Sequence, residues 1–75
     1  MKKIVRTETI GGLFTVDIDG MLQDKQIGDL ISDDSGNVYK LDSVALFGFH
    51  DSKNQTLVLH RVRGNKPIGN HLNTN

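Results

Sequence analysis

The sequence contains no cysteine, which removes two common ways of stabilising a small protein. Without thiolates, the 75-residue chain has no disulfide and no cysteine-ligated zinc. His50, His60 and His71 are too scattered to hold zinc alone. A chain this short fills one core and buries only about 60% of its unfolded surface. We therefore expect a single domain over residues 1–72, a frayed tail over residues 73–75, and a stability that depends on packing or self-association.

Long apolar runs are also missing. No segment approaches the roughly 20 apolar residues of a transmembrane helix. Lys2 and Lys3 are not followed by the apolar stretch of about 7 to 15 residues that a signal peptide requires. We expect a cytoplasmic protein that does not enter a membrane.

Catalytic and cofactor motifs are absent as well. No G-x-x-x-x-G-K-[S/T] occurs, so the chain has no phosphate cradle for GTP hydrolysis, and no serine lies in a G-x-S-x-G elbow. The acids before Gly20 do not follow the EF-hand order, because Gln26 stands where a glutamate is needed. His60 alternates with Val58 and Val62, and we expect a partly buried, hydrogen-bonded side chain rather than a catalytic base. We predict no enzyme activity, no metal and no cofactor.

The sequence does contain short segments in which apolar and polar residues alternate, and glycines separate these segments. In residues 13–18, Phe14, Val16 and Ile18 share one face, with polar residues between them. Eight glycines are spread along the chain, which disfavours long helices. The alternation predicts strands at residues 3–9, 13–18, 26–32, 37–41, 43–50 and 55–63.

Polar turns separate these segments. Gly11 and Gly12 predict a tight hairpin, since paired glycines accept the positive φ angles of a two-residue turn. In residues 33–36 (DDSG) an Asp side chain is expected to accept from backbone N–H groups, and Gly36 to take the left-handed conformation. Residues 51–54 predict a second polar turn.

Short strands with frequent turns and no crossover helix predict an all-β fold. Closing the sheet removes unpaired edges, which are a liability for segments such as residues 57–59. We predict a small closed or partly open antiparallel β-barrel of about six strands.

The balanced net charge hides an uneven distribution. Residues 1–6 are basic, residues 7–51 hold all nine acids and two lysines, and residues 52–75 hold four cations and no acid. The simplest interpretation is that these are solvated charges. If the chain ends lie together, the two basic segments would instead form one patch.

That patch is the candidate nucleic-acid site. Period two puts Arg61 and Arg63 on one face about 7 Å apart, a spacing that suits successive phosphates. The full set of candidate residues is Arg61, Arg63, Lys66, Lys2, Lys3, Arg6 and Tyr39. Aromatics for base stacking are few, and Tyr39 is the one ring expected to be exposed, because Phe14, Phe47 and Phe49 suit a core.

Three stretches of the sequence resemble a known domain. The first runs over residues 4–31, with Gly11-Gly12, then FTVDI, then Gly20 and QIGDLI. The second is SVALF at residues 43–47, and the third is LVLHR at residues 57–61 followed by IGNHL at residues 68–72. Together they are similar to the β-barrel domain that follows the GTPase domain in elongation factors such as elongation factor Tu.

The resemblance implies a fold and a class of partner. In that family the barrel binds the aminoacyl end of tRNA or ribosomal RNA and supports the GTPase domain. The loop over residues 20–27 is longer here than the family's usual turn, and the motifs are short. We therefore expect a non-catalytic binding module whose partner is RNA.

An alternative is a module that binds protein rather than RNA. A small barrel with a thin core can dock through an exposed strand, or through an acidic belt, onto a partner or a second copy of itself. The belt would consist of Asp17, Asp19, Asp24, Asp29, Asp33 and Asp34.

Overall fold

The computed structural model describes residues 1–45 and 53–74, which form a closed, six-stranded antiparallel β-barrel, as predicted. The strands are β1 (Lys2–Ile10), β2 (Leu13–Asp19), β3 (Leu30–Asp33), β4 (Val38–Val44), β5 (Asn54–Arg63) and β6 (His71–Asn73). Their order around the barrel is β1-β2-β5-β4-β3-β6. The described residues contain no helix, and hence none long and apolar enough to cross a bilayer.

The hairpin between β1 and β2 is the one that the paired glycines predict. Ile10 and Leu13 face each other across a two-residue turn. Gly11 and Gly12 have φ angles of 58° and 83°, which only glycine adopts at little cost.

The core lies inside the barrel. The alternation of Phe14, Val16 and Ile18 is confirmed, with Val16 and Ile18 fully buried and Phe14 half-buried. Ile4 of β1 packs against the core from its edge. Among the described residues, eight buried apolar side chains form the core: Val16, Ile18, Ile31, Tyr39, Leu41, Leu57, Leu59 and Leu72.

Three predicted strands have different bounds in the structure. The third begins at Leu30 rather than residue 26, because Gly28 has a φ of 96°, which is outside the extended conformation of a strand. Gly28 and Asp29 still exchange backbone hydrogen bonds with Leu41 of β4, at 2.8 and 2.9 Å. The fourth and the start of the fifth are one strand, β4, with a register shift between Leu41 and Ser43. The shift is a bulge, which leaves Asp42 without a partner position between the paired residues Leu41 and Ser43. β4 therefore continues through residue 42, where one strand was predicted to end and another to begin. Ala45 lies outside the strand, and the rest of the predicted fifth strand lies outside the described residues.

The sixth strand, β6, was not predicted. Leu72 of β6 pairs with Lys2 of β1 on one side and with Asp33 of β3 on the other. The three-residue strand β6 therefore joins the two edges of the sheet. Asn73, the first residue of the tail expected to fray, pairs with Ser32. The two ends of the described chain therefore lie side by side, as predicted.

Candidate nucleic-acid interface

A buried carboxylate, Asp33, organises the loops at the end of β5. One of its oxygens, Oδ1, accepts from the backbone N–H groups of Ser35 and Asn37, each at 2.9 Å. The other, Oδ2, accepts from Asn37 Nδ2 at 3.0 Å, Tyr39 Oη at 2.8 Å and the Gly69 N–H at 3.1 Å. The expected turn is confirmed, including the left-handed Gly36 with φ 94°. The carboxylate also holds the distant segment before β6.

Asn37 extends this network to the loop that follows β5. Its side chain is fully buried, and Nδ2 also donates to the carbonyl oxygens of Lys66 and Pro67 at 3.0 and 3.2 Å. The Lys66 N–H donates back to Asn37 Oδ1 at 3.2 Å. The backbone of Lys66 is therefore held in place, while its side chain is exposed.

Hydrogen bonds stabilise the charged form of two carboxylates in this network, those of Asp33 and Asp34. Burial alone would raise the pKa of Asp33, but the donors on Asn37, Gly69 and Tyr39 outweigh it and leave the pKa lowered. Asp34 has a lowered pKa chiefly because of the hydrogen bond to His71, at 3.2 Å between Oδ2 and Nδ1. Both carboxylates are ionised at neutral pH.

Tyr39 is not an exposed ring, and this sequence expectation is wrong. Its side chain has 0% exposure, and its hydroxyl donates to Asp33. The inward direction follows from pairing with Ile31 and Arg61 on the neighbouring strands. A fully buried ring has no face on which a nucleobase can stack.

Burial and the Asp33 carboxylate raise the pKa of Tyr39 to about 12, from an ordinary value of 10.0. The folded state therefore binds this proton more tightly than the unfolded state, so stability is expected to fall as pH rises from about 10 towards 12. Tyr39 is the only tyrosine, and its ultraviolet tyrosinate absorbance reports it alone. A midpoint near 10 while circular dichroism still shows the native fold would contradict this prediction. The denatured chain, with its expected midpoint near 10, is the reference.

Arg61 packs over two aromatic rings near the end of β5. Its guanidinium carbon lies 5.1 Å from the Phe14 ring centre and 5.9 Å from that of Tyr39. The two rings meet edge to face, with centres 5.6 Å apart. Arg61 Nε is buried and donates to no acceptor among the described residues. The rings restrict the arginine, so less conformational entropy is lost when it binds an anion.

Arg63 and Lys66 complete a group that we call the β5 rim: Arg61, Arg63 and Lys66. Val38 pairs with Arg63 and Tyr39 with Arg61, so Val62 is an extra residue in β5. The simple alternation that predicted one face for the two arginines is therefore interrupted between them. Both still lie within the last three residues of the strand. Among residues 1–45 and 53–74, no acidic side chain forms an ion pair with any of the three cations.

The basic residues of β1 lie elsewhere. β2 lies between β1 and β5 in the barrel, so the two basic segments are not on adjacent strands. The amine of Lys2 lies beside Gly20, which directly follows the last residue of β2. Arg61 lies near the opposite end of β2, because it comes two residues after Leu59, and Leu59 pairs with Phe14. The register thus separates the β5 rim from Lys2 and Lys3.

Arg6 differs from the rim cations because it already has an acidic partner. Its guanidinium contacts Glu8 Oε1 at 2.8 Å through Nη2 and 2.9 Å through Nε. A register shift between Ile4 and Arg6 places Arg6 opposite Asp17 on β2. Arg6 therefore belongs to a mixed-charge surface of β1.

Two members of the acidic belt expected from the sequence are not on the surface. Asp17 and Asp33 are buried, at 3% and 5% exposure. Asp17 accepts a hydrogen bond from the Thr56 hydroxyl at 2.6 Å. Both were expected outside because acids are rarely buried unless they are paired, and here hydroxyl, amide and backbone donors provide that pairing.

His60 is half-buried and hydrogen-bonded, with Nδ1 at 2.8 Å from both oxygens of Asp42. It lies on the outer side of β5, since Leu57 and Leu59 point into the core. Asp42 is the residue that the β4 bulge leaves between paired positions.

No protein-family model, no curated protein and no solved structure matches this chain. The resemblance to the elongation-factor barrel therefore stays a prediction from the sequence motifs. The barrel itself is the class of fold that the structure defines.

The structure also brings forward two residues that the sequence interpretation did not assign. Asn37 was only the start of a predicted strand, and Gly69 was part of a family-like motif. The contact of Gly69 with Asp33 joins residues 36 positions apart. Only the DDSGN composition, typical of a hydrogen-bonded turn, pointed to part of this network.

Proposed function

We propose that this protein is a non-catalytic binding module that contacts the phosphates of single-stranded RNA through the β5 rim. The observation that carries the proposal is the placement of Arg61 and Arg63 at the end of β5, and of Lys66 in the loop that follows, without acidic partners among the described residues. Cations that lack an acidic partner are the groups that phosphates neutralise, and counterion release then favours binding.

The geometry gives each cation a different degree of order. Arg61 is restrained by the Phe14 and Tyr39 rings, and the backbone of Lys66 is fixed by Asn37. Arg63 is exposed at the end of β5. Because residues 1–45 and 53–74 place no exposed ring beside these cations, the contact is expected to be with the nucleic-acid backbone and to show little base preference.

The likeness to the elongation-factor barrel supports the same class of partner, since in that family the barrel contacts RNA. RNA binding also fits a cytoplasmic protein. Lys2, Lys3 and Arg6 are left out of the proposed contact because β2 separates β1 from β5.

The test compares two double variants of equal charge. Arg63→Ala/Lys66→Ala removes two exposed cations from the rim, and Lys3→Ala/Lys40→Ala removes two exposed cations from β1 and β4. Arg61 is kept, because its truncation would also remove packing from the two rings. Binding of a fluorescein-labelled oligouridylate is measured by anisotropy over a series of salt concentrations.

The rim variant is expected to bind more weakly and to reduce the slope of log K against log salt by about 1.4, the value for two lost phosphate contacts on a single strand. The control variant is expected to keep a slope close to that of the unmodified protein. Equal slopes for the two variants would contradict the rim as the binding site, and no binding at low salt would contradict RNA as the ligand.

A further inference from the structure

In the part of the chain that the structure describes, most of β1 has a neighbouring strand on one side only. It pairs with β2 as far as Ile10, whereas its pairing with β6 covers Lys2 and Lys3. The Ile4 N–H then donates to the Asn70 carbonyl at 2.8 Å. Beyond Ile4, the described residues place no strand on this side of β1, so the barrel has a local open edge.

The backbone direction along this edge follows from the hairpin. Ile10 and Leu13 flank a two-residue turn and form the hydrogen-bonded pair that closes it. Pairs alternate between bonded and non-bonded in an antiparallel ladder, so Arg6 and Glu8 bond towards β2. Thr7 and Thr9 therefore direct their N–H and C=O groups towards the open edge. This arrangement is a template for another strand.

A shallow groove runs beside the edge, between β1 and residues 68–70. Its lining residues are Ile4, Val5, Arg6, Thr7, Ile68, Gly69 and Asn70. Two apolar side chains of β1 are exposed, Val5 at 44% and Ile10 at 62%. An added strand would cover both of them.

The charge pattern of β1 is complementary to itself. Arg6 and Glu8 flank Thr7, and both lie on the outer face opposite Asp17 and Thr15 of β2. When a second β1 is placed antiparallel and centred on Thr7, Arg6 of each copy faces Glu8 of the other. Opposite charges at directly facing positions stabilise a strand pair, and like charges destabilise it. The same register brings Ile4 opposite Ile10.

We propose that the open edge of β1 pairs with the same edge of a second copy of this chain, in an antiparallel, two-fold symmetric dimer centred on Thr7. The contact uses the same surface on both copies, so it closes on itself and does not continue into a fibre. It is separate from the β5 rim and does not depend on RNA binding.

The test uses charge reversal and mixing. Arg6→Glu places two glutamates opposite each other at each facing position, and Glu8→Arg places two arginines there. Each variant alone is expected to weaken the dimer by roughly tenfold or more. An equimolar mixture of the two restores opposite charges at both positions, and a heterodimer is expected. Sedimentation velocity over a concentration series measures all three samples.

Mixing separates the interface from the ion pair within one chain. Both variants lose their own Arg6–Glu8 contact, and mixing does not restore it, so recovery of the dimer reports the contact between chains. Lys3→Glu is the matched control, because it makes the same change of charge as Arg6→Glu but faces Gly11 in the proposed register. It is expected to dimerise like the unmodified chain.

A backbone variant gives a second measurement. Thr7→Pro removes an N–H that the barrel does not use, and proline is tolerated at sheet edges. It is expected to abolish the dimer while circular dichroism still shows the barrel. A monomeric unmodified protein at every concentration, a mixture that stays monomeric, or a folded Thr7→Pro variant that still dimerises would each overturn the proposal.

Discussion

Replacing Asp33 with alanine is expected to lower the free energy of unfolding by about 3 kcal/mol or more, because several buried donors lose their acceptor together. Ser35, Asn37, Tyr39 and Gly69 all donate to this carboxylate. A single domain of this size has little stability to lose. Urea unfolding followed by circular dichroism measures the loss.

Asp19→Ala is the matched control, since Asp19 is exposed at the end of β2. Its effect is expected to stay within about 0.5 kcal/mol. Asp33→Asn keeps the shape of the side chain, removes its charge and turns one acceptor into a donor that faces other donors. If either Asp33 variant is as stable as the Asp19 control, the carboxylate does not hold the barrel closed.

Acid should reproduce part of this loss. The pKa of Asp33 is lowered in the folded state, so its stabilising contribution is present above its unfolded pKa of about 3.9 and is lost as pH falls through the lower folded value. The Asp33→Ala variant should lack that component of acid unfolding.

Gly64→Ala is expected to destabilise the barrel by about 3 kcal/mol or more, from two separate causes. Gly64 has φ 100°, which strains any residue with a Cβ. A Cβ there would also lie 2.9 Å from Asn37 Cα and would contact Asn37 Oδ1. The backbone has no room to move away, since Asn37 is held by Asp33, Lys66 and Pro67.

Gly28→Ala separates the two causes. Gly28 has a similar φ of 96°, but nothing lies within 4 Å of a Cβ placed on it. It is expected to cost about 1 to 2 kcal/mol, which is the strain alone. The difference between the two variants measures the steric conflict with Asn37. Equal losses would mean that the chain around Asn37 adjusts freely.

Local chemistry predicted much of the barrel. The Gly11-Gly12 hairpin and the turn at residues 33–36 follow from residues that accept particular φ angles or side-chain to backbone bonds, and both are present. The inward alternation of Val16 and Ile18 is likewise a property of one strand and needs no knowledge of its neighbours.

Features that depend on partners from other strands were missed. β6 has only three residues and one buried side chain, Leu72, too short for an alternating pattern to show. Tyr39 was expected to be exposed because the phenylalanines suit a core better, and the sequence does not show that Asp33 on the neighbouring strand accepts from its hydroxyl inside the barrel. The extra residue Val62 interrupts the alternation of Arg61 and Arg63, and this irregularity depends on the pairing with β4, which the sequence of β5 does not show.

The candidate site was predicted in part. The sequence placed Arg61, Arg63 and Lys66 in one basic segment, and they do lie around the end of β5. It could not place Lys2 and Lys3, because the position of β1 relative to β5 depends on strand order. The sequence shows how many cations each segment carries, whereas the order and register of the strands decide which cations lie close together.

The short strand β6 also has a consequence for how the protein is made. Because Leu72 is the residue that joins Lys2 to Asp33, a chain growing on the ribosome cannot complete the ring until residue 73 has left the exit tunnel. Until then β1 and β3 keep their edges exposed, and nascent chains on one messenger are at risk of pairing with each other. Closure between such distant positions is also expected to be the slow step of folding.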